Sequence, residues 1–311
     1  MVSWWYIGRR LAQTAVVLVG ITLVVFWVIR LSGDPVLLML PADASQQDIQ
    51  RLRELLGFDQ PVHIQLWRFM ERVATGDFGT SLRFQEPALA LVLDRLPSTV
   101  LLAFTALSVA GVIGLPLGVL SAVRRNSVWD HAAMAVALLG QSMPIFWTGI
   151  MLITIFAVAL DLFPSSGSGT IRHLVLPTAA LGFLSTGRVT RLVRGRMIEV
   201  LGEDYVRTAR AKGLTESCVL YRHALRNCLL PVITILGLEL GSTLGGAVVT
   251  ETVFAWPGVG RLIVSAIFAR DYPLVQAAVL VVAVMFVVVN LVVDLLYAVI
   301  DPRVRFGSSR P

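Results

Sequence analysis

Lys212 is the only lysine in the chain, and it is followed by Gly213 and Leu214. A phosphate-cradling loop of the form GxxxxGK[ST] needs a hydroxyl residue directly after its lysine to meet the magnesium ion. The chain therefore carries no such loop, and any ATP that drives its function is hydrolysed on another chain. HExxH and GxSxG, the signatures of zinc-assisted hydrolysis and of a nucleophile elbow, are also missing. His63, His131, His173 and His223 are dispersed and suit structural roles. Cys218, His223 and Cys228 share one segment but offer three ligands where a tetrahedral metal site wants about four. These residues predict no catalytic site, no metal and no cofactor held by this chain.

Acids inside apolar runs are the other place where side-chain chemistry concentrates, because a charge in hydrocarbon is costly and is kept for a purpose. Glu239 lies near the middle of one such run, with Ser242 one turn on. Asp294 lies in another, one turn from Asn290. Either acid could line a hydrated path or be paired between helices. Pairing is the better expectation for Asp294. For Glu239 both remain open, and a pathway acid there would suit a cationic or amine-bearing solute. Gln141 and Ser142 form a polar pair beside Pro144 within a third run. Gly237, Gly241 and Gly245 recur every four residues, which predicts a groove for close helix approach.

These residues are carried by a chain too apolar for an ordinary soluble domain: 56% hydrophobic, 15% charged, with a mean hydropathy of +0.77 over 311 residues. Six predominantly apolar runs are long enough to cross a bilayer, at about 9–30, 98–123, 131–160, 173–190, 229–252 and 275–299. The first is too long for the apolar core of a cleaved signal peptide and is expected to remain as an anchor. The net charge of +6 comes from arginines that flank apolar runs, a pattern that sets topology and does not suit nucleic acid. With the N-terminus inside, sixteen basic residues face the cytoplasm and three lie in short outside loops. Both termini are therefore expected to be cytoplasmic.

The long outside segment carries its own helices. SQQDIQRLRELLGFD reads as a capped amphipathic helix, with Ser45 and Asp48 at its start and Gly57 at its end; PVHIQLWRFMERVATG reads as a second. Between spans four and five lies a cytoplasmic stretch of about forty residues rich in Arg. A helix is expected over 199–212, ending at Gly213. Val206, Ala209 and Gly213 fall on one stripe of that helix, flanked by arginines, as suits insertion into a cleft on another protein. A basic helix lying on anionic lipid is the plainer alternative.

The stretch EDYVRTARAKG (203–213), followed by RHALRN and LLP, resembles the coupling-helix region of ABC-importer permeases. The short motif there is EAA, three residues, then Gly. Ala209 and Gly213 match it, while Arg207 and Thr208 replace the Glu and the first Ala. Those departures, with GDFGTSLR (76–83), DRLPSTVLLA (94–103), SMPIFWTGIML (142–152), HLVLPTAALG (173–182), ETVFAWPGVGRL (251–262), RDYPLVQ (270–276) and NLVVDLLYAVIDPRVR (290–305), resemble the dipeptide/oligopeptide/nickel branch. The similarity covers nearly the whole chain.

The resemblance implies an all-α membrane protein of six transmembrane helices: a type I ABC-importer transmembrane domain with an extra N-terminal span and a helical extracytoplasmic segment. Residues 1–30 would form the cytoplasmic tip and first helix, 31–95 the extracytoplasmic segment, 96–301 the transmembrane domain, and 302–311 a cytoplasmic tail. It implies a bacterial or archaeal cytoplasmic membrane and import of peptides or a similar small solute. It also implies a homologous second permease subunit, two cytoplasmic ATPase subunits that hold ATP and Mg, an extracytoplasmic solute-binding protein, surrounding lipid, and no nucleic acid. Tyr205, Arg207, Thr208, Ala209, Arg210, Ala211, Lys212 and Gly213 would couple to an ATPase subunit. Glu251, Trp256 and Pro257 would belong to an outer gate, and Gln141, Ser142, Glu239 and Ser242 to the pathway. A self-sufficient secondary carrier or channel for a small cationic solute is the alternative, and it would need its own coupling-ion site.

Overall fold

The computed structural model describes residues 4–31, 36 and 45–300, and among them the fold is helical, with a single isolated β-bridge between Thr80 and Pro87. The first three residues, most of 32–44 and the tail expected over 302–311 lie outside the described residues. In order the helices are α1 (Trp4–Leu31), α2 (Gln46–Leu56), α3 (Val62–Thr75), α4 (Ala88–Val123), α5 (Val128–Ser142), α6 (Ile145–Leu152), α7 (Ile171–Leu201), α8 (Asp204–Ala211), α9 (Arg226–Val253), α10 (Val259–Phe268) and α11 (Tyr272–Ile300). Two π-helical stretches, Ile153–Ala159 and Val219–Leu225, extend α6 and lead into α9.

Local chemistry accounts for the ends of the small helices. Ser45 accepts from the Asp48 amide at the start of α2, and Gly57 closes it at φ +70°. Gly76 closes α3 at φ +74°. Both are left-handed positions, where a Cβ is disfavoured. The helices predicted for the outside segment are thus present with the expected caps.

The chain divides into two compact units, one holding Thr99–Trp256 and the chain from Val289 on, the other holding Ser3–Ser98 and Pro257–Val288. The first is organised around α7. Leu176, Leu181, Val189, Val193 and Met197 of α7 are buried, the last three together with Ala122, Ala224, Cys228 and Val232. Glycine allows helices to approach it closely. A Cβ on Gly118 of α4 would lie 2.6 Å from Val193 Cβ and 2.7 Å from Thr190 O, and one on Gly187 would strike the Ala137 carbonyl. Thr186 and Thr190 return their hydroxyls to Gly182 O and Thr186 O at 2.7 and 2.8 Å, so these two buried hydroxyls are satisfied within the helix.

In the second unit, Phe26 of α1, Phe69 of α3 and Leu280 of α11 form one cluster, and Ala88, Val92, Val259, Ala266 and Leu274 form another. The buried Asp271 joins two of the motifs quoted above. It accepts from Ser81 Oγ, from the Arg83 amide at 3.2 Å and from the Leu274 amide at 3.3 Å, capping α11 while fixing the loop that leads into α4.

Among the described residues, three helices contain long apolar stretches able to cross a membrane: Gly8–Val28, Ala88–Val123 and Tyr272–Asp294. Only 17, 28 and 22% of their most apolar windows are buried. The run expected to cross as one span over 131–160 is broken instead. Pro144 removes an amide and forces Met143 into extended backbone, and the helices on either side meet at 108°. The fourth run extends well beyond 190, because α7 continues as one helix to Leu201.

Candidate functional site: a short basic helix joined to a charged helical unit

α8 is separate from the helix before it. The expected helix over 199–212 breaks at Gly202 and Glu203, where Glu203 takes ψ 148° and becomes the N-cap of α8. The break turns α8 so that Val206 and Ala209 pack against Val219, Val200 and Leu201 of the same chain. Val206 is fully buried. Two of the three residues of the stripe expected to enter a partner's cleft, Val206 and Ala209, therefore face inward, because apolar side chains at that spacing find their burial within the chain, whereas Gly213 stays exposed. What α8 presents outward is Arg207, Thr208, Ala211 and Lys212, spaced i, i+1, i+4 and i+5 on one face.

Three contacts fix this helix. Arg210 donates to Glu216 through Nη2 at 2.7 Å and Nε at 3.2 Å, bridging the turn. The guanidinium holds the Glu216 carboxyl below its ordinary range, and the carboxylate raises Arg210 in return. Gly213 makes the turn itself at φ +75°, with open space where a side chain would stand. Asn227 at the start of α9 donates to the hydroxyl of Tyr205 at 2.7 Å, so α8 is tied to the helix that follows it. Asp204 in its first turn and Arg210 in its last complement the helix dipole.

The same unit holds two charge clusters, one built on a buried carboxylate and the other partly exposed. Asp130, at the start of α5, accepts from Ser121 Oγ, from the Asn126 amide at 2.9 Å, and from Arg194 Nε and Nη2 at 2.7 and 2.9 Å. One carboxylate thereby binds the end of α4, the start of α5 and the middle of α7. Deeper in the same unit, Arg188 Nη1 donates to both Glu239 oxygens at 2.9 Å, and Ser242 Oγ donates to the Glu239 carbonyl at 3.0 Å. Glu239 is thus paired. Arginine counting assigned Arg188 to topology alone, since nothing in a linear sequence shows which acid a given arginine meets; the structure pairs it with a candidate pathway residue.

The remaining candidates are spread through the structure. Glu251 is fully buried and accepts from Thr99 Oγ1 at 2.6 Å. Trp256, whose amide donates to Glu251 O at 2.9 Å, is packed with Leu102, Ala106, Leu181 and Ala247. Ala255 between them has φ +50°, which reverses the chain after α9. Pro257 is half-buried. Gln141 and Ser142 sit at the sharp bend. Ser142 is exposed, whereas the Gln141 side-chain nitrogen is buried with no hydrogen-bond partner among the described residues. Of the glycine stripe on α9, Gly237 lies where a Cβ would meet Val293 at 2.7 Å, and Gly245 faces open space. Among the described residues no three His, Cys, Asp or Glu side chains converge as a metal site requires.

Residues 114–306 match the family described as binding-protein-dependent transport system inner membrane component, and residues 3–103 match the N-terminal region of such components. The chain is 42% identical to a dipeptide transport system permease protein of Alkalihalophilus pseudofirmus, over 97% of this chain and 99% of the relative. It is 41% identical to an oligopeptide transport system permease protein of Bacillus subtilis and to a glutathione transport system permease protein of Salmonella paratyphi A, each over 97% of this chain and 99% of the relative. In three dimensions it is similar to a chain of an inward-facing methionine ABC transporter, with a TM-score of 0.57 at 21% identity, covering 68% of this chain and 96% of the other. It is also similar to a chain of an amino acid ABC transporter crystallised with histidines, with a TM-score of 0.52 at 16% identity, covering 69% and 94%. These likenesses show the transmembrane fold of ABC importers.

Proposed function

The chain belongs to the family of binding-protein-dependent transport system inner membrane components, and on that premise we propose that it forms part of the translocation pathway for di- or oligopeptides or a solute of similar size, such as glutathione or chelated nickel. It is a non-catalytic, multi-pass permease subunit of an ABC importer. The observation that carries the solute class is the 42% identity to a dipeptide permease across 97% of the chain. The self-sufficient carrier is not favoured by relatives that are named as parts of transport systems.

In this reading the chain crosses the membrane six times: α1, α4, the bent α5–α6 pair, α7, α9 and α11. Both termini lie in the cytoplasm, and residues 31–95 face an extracytoplasmic solute-binding protein. The transmembrane domain spans 96–301, with residues 203–213 as its coupling element. A homologous second permease completes the pathway, and two ATPase subunits hold ATP and Mg. The outward face of α8 seats on one of them. Movement of that ATPase is transmitted because α8 is clamped at both ends, by Tyr205–Asn227 to the base of α9 and by Arg210–Glu216 to the segment that leads into it. Glu251, Trp256 and Pro257 belong to the outer gate.

The test is reconstitution of the chain with its partners in proteoliposomes. Peptide uptake is expected only with ATP and both ATPase subunits present. Uptake by this chain alone would contradict the assignment.

A further inference from the structure

The Arg188–Glu239 pair lies roughly 20 Å from the nearer end of each of its helices, counted at 1.5 Å per residue along α7 and α9. Both residues are therefore central in their helices, and Glu239 is also central in the apolar run over 229–252. A charge at such depth is kept where it meets water, a partner group or a solute. The two members differ in exposure: the Glu239 side chain is 13% exposed, the Arg188 side chain 40%. Arg188 spends only Nη1 on the carboxylate, and its Nε and Nη2 have no partner among the described residues. Its neighbours along the helix, Gly187, Val189 and Thr190, are buried, so the backbone beneath it is fixed. Arg191, one turn on, is exposed, and so are Ser242 and Gly245 near Glu239 on α9. The open charge at this depth is positive.

This reverses the expectation attached to Glu239 alone. Its carboxylate is already satisfied, and a cation approaching it would meet the Arg188 guanidinium. The free Nε/Nη2 edge of a guanidinium is instead the fork that receives a carboxylate through two parallel hydrogen bonds. Every unmodified peptide carries such a group at its C-terminus. Resting on the peptide assignment made above, we propose that Arg188, oriented by Glu239, receives the terminal carboxylate of a peptide in transit. Glu239 acts as a positioning residue that keeps one nitrogen occupied and the other edge open. The station selects for an anionic end group and accepts varied side chains, since nothing in it reads them.

The experiment compares ATP-driven uptake of dialanine and of its C-terminal amide by the complete importer, with the same solute-binding protein throughout. The readout is the acid-to-amide ratio within each variant, which does not depend on how much protein folds. Removing Arg188 alone strands the Glu239 charge, so the decisive variant is the pair Arg188→Gln with Glu239→Gln. Its acid-to-amide ratio is expected to fall about tenfold from the wild-type ratio, the loss of a charge-assisted contact. Arg188→Lys, which keeps the charge without the fork, is expected to lie between the two. An unchanged ratio in the double variant would overturn the proposal. Loss of uptake of both peptides by an assembled double variant would overturn it too, since the pair would then be structural. A wild-type importer that moves neither peptide would remove the peptide assignment itself, and this proposal with it.

Discussion

Asp130 shows how a single side chain can join three helices. Its carboxylate, 2% exposed, has four donors from three segments, and Arg194 supplies two of them. Breaking a buried pair leaves an uncompensated charge, which costs more than the intact pair contributes. Arg194→Ala is therefore expected to destabilise the membrane unit by about 3 kcal/mol, read as a drop in the thermal unfolding midpoint of the detergent-solubilised chain. Adding Asp130→Asn to Arg194→Ala should recover much of that loss, whereas no recovery would mean that packing, not charge, holds the three helices. None of these partners could be inferred along the chain. Asp130 and Arg194 are 64 positions apart, Arg188 and Glu239 are 51 apart, and Ser81 and Asp271 are 190 apart. The motifs marked Ser81 and Asp271 as members of patterns, but only folding showed that those patterns meet.

Local rules worked where an element's fate is decided by its own residues. Ser45, Gly57 and Gly76 cap α2 and α3 as their types require, and the apolar runs became α1, α4 and α11. They fell short where tertiary packing intervenes. The helix expected over 199–212 is divided at Gly202 because Val206 and Ala209 are buried against Val219. The sharp bend at Pro144 was marked by the proline, but its 108° angle was not legible from it. Glycines differ in the same way: their positions are plain in sequence, their neighbours are not. Gly118→Leu should prevent α4 from reaching α7 and sharply reduce the yield of folded protein, since Thr190 O is backbone and cannot yield. Gly195→Leu, on the same α7 but with nothing within 4 Å, should leave that yield near wild type. Equal losses from the two would show that helix propensity, not close approach, explains these glycines.

At the scale of the whole molecule, the topology proposed above puts the α8 region on the cytoplasmic side. The two native cysteines provide a probe of that topology. Cys228 is buried and Cys218 is partly accessible, and both are free thiols. A membrane-impermeant thiol reagent should label Cys218 in inside-out vesicles, leave it unlabelled in right-side-out vesicles, and spare Cys228 in both. Labelling of Cys218 from the outside would invert the topology and remove α8 from the ATPases.

The most direct test of α8 as the joint between ATP hydrolysis and transport is Gly213→Arg in the complete importer. Gly213 has open space around it, so a side chain meets no core atom, yet its φ of +75° is strained for any residue with a Cβ, and it adjoins the face proposed above to dock on the ATPase. Peptide uptake and ATP hydrolysis would be measured on the same proteoliposomes. Uptake is expected to be abolished, and hydrolysis to lose its response to the loaded binding protein, while the chain remains inserted in the membrane. Peptide uptake at the wild-type rate by that variant would contradict the account.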